Sequence, residues 1–324
     1  MARWSDEMTG WNKEALRCIA VLAAASSTSI AASQPDPAND PIVVEGERGN
    51  DEAARKEARS AVRTSGAIRG DRPIARWRNS LCVSVIGIEE PARTMVMDRI
   101  SAHARKLDLE IEDSSSCTTN VNIAFSFDAV RLVDATRSRR PRSFAEVPGF
   151  YEEVLFGESA PVRAWYRTGW RDRMGRQAIG QQPASVTMDS VSWSGMLPNK
   201  DDAPITTGQF SSRVQTDGTR AIEAAMIIVD RDLAAGYEVD LVADLIALHA
   251  LAEIYPRDVA RDSASILALF DAPADRKPRG MSECDWMLLQ EIYALAPARA
   301  GSMHRQTLVR ALSEAPDCGA GNSR

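Results

Sequence analysis

The sequence predicts an α+β protein, a single globular domain with a short mixed sheet and a helical C-terminal cap. Three observations carry this expectation. A β-α-β run occupies residues 81–127. A buried strand at 221–232 leads into a long apolar helix at 239–256. A helical run then continues to the C-terminus, an order that suggests α+β, or a loosely organised α/β sheet.

The elements follow in order. Residues 1–33 read as a secretory signal: Lys13 and Arg17 precede the short apolar run "CIAVLAAASSTSIAA", and small residues at Ala31 and Ser33 suit cleavage before Gln34. The run is too short, and too broken by Ser and Thr, for a bilayer span, which needs about 20 strongly apolar residues. Residues 34–73 contain "QPDPANDP" and "ERGNDEAARKEARSAVR". With few large apolar side chains they are expected to form a disordered linker, with at most a solvated helix near 51–63. The globular domain is expected over 74–324.

Within it, "LCVSVIG" (81–87) and the alternating "VNIAFSF" (121–127) are strands. Between them, "EPARTMVMDRISAHARKL" places Pro91 near a helix start and spaces Met95, Met97, Ile100 and Ala104 helically. "AVRLVDATRSRRPRSF" reads as a helix ending in a basic loop. "PVRAWYRTGWRDRMGRQ" reads as two extended arms about Thr168-Gly169, a hairpin. "AIEAAMIIVDRD" is a buried strand, "LVADLIALHALAEIY" the long helix, and "DSASILALF", "SECDWMLLQEIYALAP" and "MHRQTLVRALSEA" the cap.

Composition narrows the function classes. The 324 residues are 44% apolar, enough for a substantial core, and the net charge is -6. An acidic chain leaving the cytoplasm is a poor nucleic-acid binder, whose surface would be basic. Loss of Cys18 with the signal leaves Cys82, Cys117, Cys284 and Cys318, an even number for an oxidising compartment. Of the three pairings open to them, the simplest joins Cys82 to Cys117 and Cys284 to Cys318. No two have the close spacing of a zinc knuckle.

The long helix invites a catalytic reading, because zinc peptidases place two histidines one turn apart on such a helix, with a glutamate beside the first. With His249 as the second ligand, the first ligand and the base fall on Leu245 and Ile246. Neither can hold an ion or accept a proton. His249 and Glu253 share a helix face, so they are the candidate catalytic or ligating pair; the bland alternative is a buried histidine paired with a glutamate one turn on. Asp240 and Asp244 lie about 40° apart on another face. His103 and His304 are expected to be solvated. There is no GxSxG elbow and no Gly-rich phosphate loop.

In its C-terminal third the chain resembles secreted alphaproteobacterial proteins of unknown function, whose better-preserved members are similar to zinc-dependent peptidases. The residues that carry the resemblance are "MIIVD", "ADLIALHALAEIY", "DSASILALF" and "MSECDWMLLQEIYALAPARAGSMHRQTLVRAL", with a weaker echo at "LCVSVIG". The resemblance implies a zincin-like scaffold. The departures at Leu245 and Ile246 imply one without a working metal centre, and no catalytic residue is carried over.

Three functions compete. The first is a non-catalytic, zincin-like periplasmic protein, a pseudoenzyme without cofactor or metal, binding a peptide or another envelope partner. The second is an envelope hydrolase with an atypical site around His249 and Glu253. The third is an anion-binding module using Arg163, Trp165, Arg167, Trp170 and Arg171, part of an arginine and aromatic run over 163–176. In all three the mature chain has no membrane span and no nucleic-acid partner.

Overall fold

The structure, a computed structural model, describes residues 48–113, 116–171 and 218–315. The expected signal peptide, the expected cleavage point at Ser33, residues 34–47 and Cys318 lie outside the described residues.

Among the described residues the protein is a mixed α+β fold built on a five-stranded, mostly parallel sheet. Its strands are β1 (Arg76–Trp77), β2 (Val83–Ile86), β3 (Val121–Ser126), β4 (Val162–Arg171) and β5 (Thr219–Asp230). β5 is the central strand. One edge carries β4, antiparallel along almost its whole length. The other edge carries two parallel partners, β1 against Ala221 and Ile222 and β3 against Ala225 to Asp230. β2 lies parallel outside β3. A strand paired on both edges and covered on both faces has no water to meet, which is why β5 reads as a near-continuous apolar run.

The helices are α1 (Arg48–Ser65), α2 (Ala92–Lys106), α3 (Ala129–Arg139), α4 (Glu152–Phe156), α5 (Val239–Leu251), α6 (Glu283–Ala294) and α7 (Gly301–Glu314). α2 links parallel β2 to β3 and packs on α5 through Val96, Ile100, His103 and Ala104. These positions form one helical stripe. The stripe is rotated from the expected one: Met95 points outward, and Val96 takes the buried place. α3 starts at Asp128, whose carboxylate accepts the Arg131 N–H at 3.0 Å. α6 opens with a capping box between Ser282 and Asp285. Among the described residues no helix is long and apolar enough to cross a membrane. Cys82 and Cys117 are joined across neighbouring ends of β2 and β3, with Cα atoms 6.0 Å apart, which fits an oxidising compartment. Cys284 is also disulfide-bonded.

Two expectations about chain organisation are corrected. Residues 48–73 are not linker. α1 packs on α7 and buries Ala58 and Val62, and residues 67–77 continue into the core through Ala67, Ile74, Ala75 and Trp77. The segment has too little apolar surface to fold alone, but a narrow stripe suffices once α7 supplies the other half of the contact. The second correction concerns Thr168-Gly169, which is no hairpin turn. β4 runs straight through it, and the register slips there, Arg167 facing Ala224 and Thr168 facing Ile222. Glu223 is the extra residue of the resulting bulge. Its carboxylate lies where a Cβ on Gly169 would stand, and Arg167 holds it at 3.4 Å. Glycine here makes room for a side chain, not for a turn.

Candidate functional site

α5 is buried on nearly every side, from Val242 to Leu251. Its end is set by tertiary contacts. No glycine or proline stands in the four positions after Leu251; the chain passes at Ala252 into extended backbone with φ -143 and ψ 151. Three side chains supply donors to the orphan carbonyls of the last turn. The Tyr166 hydroxyl reaches the His249 carbonyl at 3.0 Å, the Trp77 indole reaches Ala250 at 2.7 Å, and the Tyr293 hydroxyl reaches Leu251 at 2.6 Å. These bonds satisfy groups that another helical turn would otherwise have used.

This termination separates the candidate pair. Glu253 lies beyond the helix, so it is not one turn from His249 on a common face, and the expected His249–Glu253 contact does not form. The His249 ring is 3% exposed, and its Nδ1 lies 3.2 Å from the Tyr166 hydroxyl. Burial pushes its pKa down to about 4, against a smaller upward pull from the Ile254 backbone. The ring is therefore neutral at physiological pH. Tyr166 is itself pushed well up by burial and then by neighbouring Tyr151 and Tyr255, which keeps it protonated and able to donate.

Glu253 belongs to a different assembly. Its carboxylate, 1% exposed, takes Arg220 at 2.9 Å and is also bonded by Arg69. Arg220 further reaches Glu146 at 2.7 Å and the Thr168 hydroxyl at 2.9 Å, and Arg72 holds the other oxygen of Glu146 at 2.8 Å. Burial pushes the Glu146 pKa upward, but Arg220, Thr168 and Arg72 outweigh it and hold the carboxyl below its usual range. Burial likewise opposes the charge of Arg220, and Glu253 and Glu146 more than restore it. This closed network ties the first turn after α1 to β5 and to the segment after α5. Breaking such a buried set is costly because it strands a charge.

The other acids of α5 are also engaged. Asp244 meets His103 Nε2 at 2.6 Å and Arg99 at 3.2 Å; Asp240 meets Arg99 at 3.6 Å. His103, expected to be solvated, is 5% exposed and packs edge-on against Trp286 with ring centroids 4.8 Å apart. His304, also expected to be solvated, is 2% exposed. Its Nδ1 accepts the Ile74 N–H at 3.1 Å and its Nε2–H donates to the Ala296 carbonyl at 2.9 Å, which fixes a neutral tautomer. The local sequences around both histidines look hydrophilic, and only the packing of α2 on α5 and of α7 on the first residues of the core buries them. Among the described residues no three or more His, Cys, Asp or Glu side chains are grouped to hold a metal ion. The donor set at His249 does not fit zinc: a single imidazole nitrogen faces a tyrosine hydroxyl.

The expected anion-binding run is also dispersed. Arg163 is fully buried and spends its guanidinium on the Ala160 and Gly157 carbonyls at 2.5 and 2.6 Å. Trp165 is buried against Phe144, with centroids 4.7 Å apart. Arg167 serves the β4–β5 bulge, and Trp170 and Arg171 close the pairing with Arg220 and Thr219. Arg173 and Arg176 lie outside the described residues. Cations do converge elsewhere. Lys56, Arg59, Arg63, Arg69, Arg257 and Arg305 line a groove of about 780 Å³ between α1, α7 and the loop at Phe150. The spacing of Lys56, Arg59 and Arg63 along one helical face was the available signal.

Comparison with family models, curated proteins and solved structures finds no match to this chain. Its function therefore rests on the geometry.

Proposed function

We propose that the chain is an exported, zincin-like scaffold without catalysis of its own, which works by binding an envelope partner after removal of the signal near Ser33. The observation that carries this reading is the state of His249. The one histidine on the helix that would bear a metal motif is sealed in the core against Tyr166, while Glu253 is consumed by Arg69 and Arg220. Support for the scaffold comes from the run of parallel strands with one antiparallel strand at the edge, and from the apolar helix that follows the central strand. Support for export comes from the Cys82–Cys117 disulfide.

The test is metal content and turnover on the same preparation. Purified protein is expected to carry less than stoichiometric zinc by plasma emission, and to leave a broad peptide library intact with or without chelator. Stoichiometric zinc that disappears in His249→Ala, together with chelator-sensitive hydrolysis, would overturn the reading.

A further inference from the structure

Among the described residues, the groove between α1 and α7 gathers positive charge, part of it unpaired. Six cations line it, and no acidic residue is among the described residues that do so. The chain as a whole is acidic, with a net charge of -6, so the groove runs against the general field. Lys56, Arg59 and Arg63 are exposed and make no ion pair with a described residue. Arg69 is committed to Glu253. Arg305 bonds the Gly70 carbonyl at 3.1 Å and lowers the pKa of nearby Asp71, after the larger effect of Ser302. Arg257 meets Asp258 at 3.1 Å, but that aspartate points into solvent and does not line the groove.

Two features fix the ligand class. The first is the floor. Phe150 is 43% exposed, and the Arg257 guanidinium lies over its ring at 5.2 Å. Val62, Ile68 and Val309 complete an apolar base. An exposed ring beneath a guanidinium can take the non-ionic part of a ligand. The second is the supply of charge from separate elements. Positions 56 to 63 extend about 10 Å along α1, while Arg257 and Arg305 come from other segments. A planar carboxylate satisfies one guanidinium fork. A phosphate presents three oxygens and can bridge cations approaching from different directions. The volume suits a small molecule or a headgroup, for which sites run from roughly 300 to 1,000 Å³.

We infer that this groove binds a small multiply charged anion with two or more phosphate groups, seated between Lys56, Arg59, Arg63 and Arg305, its non-ionic part on Phe150. The inference deepens the binding reading above, and rests on it only for the claim that the chain binds a partner at all. The phosphates can belong to a free molecule or to a lipid headgroup.

Titration calorimetry of the full chain with inorganic tripolyphosphate tests the free form, and flotation with phosphatidylcholine vesicles containing cardiolipin, whose headgroup carries two phosphates, against phosphatidylcholine alone, tests the lipid form. The wild type is expected to bind at least one probe, more weakly as salt is raised. Arg59→Glu/Arg63→Glu should weaken that binding about tenfold or more. Arg139→Glu/Arg140→Glu, an equal charge change on exposed residues outside the groove, should shift it by less than about threefold. Phe150→Ala should weaken the lipid form without unfolding the protein. Arg59→Gln/Arg63→Gln keeps the side-chain bulk and carries the test if the charge reversal perturbs folding. No binding of either probe, or equal losses from both double reversals, overturns the inference. Cleavage of tripolyphosphate during the titration would count for the groove and against the silent scaffold, so the two proposals fail separately.

Discussion

His249 shows how completely surroundings decide what an imidazole can do. Its ring is buried beside the Tyr166 hydroxyl and the Ile254 backbone, and burial pushes its pKa from 6.5 down to about 4. The folded pKa lies below the unfolded one. Below pH 6.5 the unfolded chain therefore takes up a proton that the folded chain refuses until about pH 4. The contribution of neutral His249 is complete above pH 6.5 and is lost as pH falls toward 4, by roughly 3 kcal/mol in all. His304, pushed down chiefly by burial, adds in the same sense; Asp285, pushed up chiefly by burial, opposes it. Urea unfolding at stepped pH should show stability declining through this window, with a shallower decline in His249→Leu. An unchanged slope in that variant would remove the sealed histidine from the account. Sequence marked His249 as the residue to weigh, and marked Leu245 and Ile246 as unfit for metal chemistry. It could not supply Tyr166, which comes from a strand 83 positions earlier. It gave Glu253 the wrong partner, because a one-turn spacing was assumed past the point where the helix stops.

At the scale of elements, the strands and helices of the core were legible from period and composition, while their ends and docking were not. α5 carries no stop signal, and its last carbonyls are satisfied by Tyr166, Trp77 and Tyr293 from three other segments. α1 is the stronger case. Its sequence reads as solvated, yet it is bound into the fold at its C-terminal end. Gly66 follows Ser65 with φ +62 and lies against the Tyr255 carbonyl, so that a Cβ would overlap backbone. The Tyr255 and Arg257 N–H groups donate to Ser65 and Thr64 at 3.1 and 2.8 Å. Gly66→Ala should cost about 2–4 kcal/mol, part for the left-handed conformation and part for the displaced backbone. Gly70→Ala is the control: φ is +59, but nothing lies within 4 Å of the added atom, so only the conformational part, about 1 kcal/mol, should appear. Equal losses measured by urea unfolding would show that the contact with Tyr255 does not hold α1 in place.

Across the whole molecule, the Cys82–Cys117 bridge closes a 35-residue separation that contains α2. Restricting a loop of that length in the unfolded chain stabilises the fold by about 3–4 kcal/mol. Cys82→Ala/Cys117→Ala, which leaves the Cys284 bridge intact, should lower the unfolding free energy by that amount while far-ultraviolet dichroism stays native; loss of under about 1 kcal/mol would show that the strands alone fix this half of the sheet. The sequence by itself determined the α+β class, the β-α-β start, the apolar central strand and the apolar helix after it, because alternation, helical spacing and buried runs are local properties of a few consecutive residues. The tertiary structure alone decided that α1 belongs to the domain, that β4 runs on past Thr168-Gly169 along β5, and that His103 and His304 are buried. It also gathered Arg69, Glu146, Arg220 and Glu253 into one network and left Lys56, Arg59 and Arg63 unspent above Phe150. Burial and ion pairing depend on which distant surfaces meet, and the free energy that chooses among such meetings is a sum over the whole packed chain, which no short stretch of residues contains.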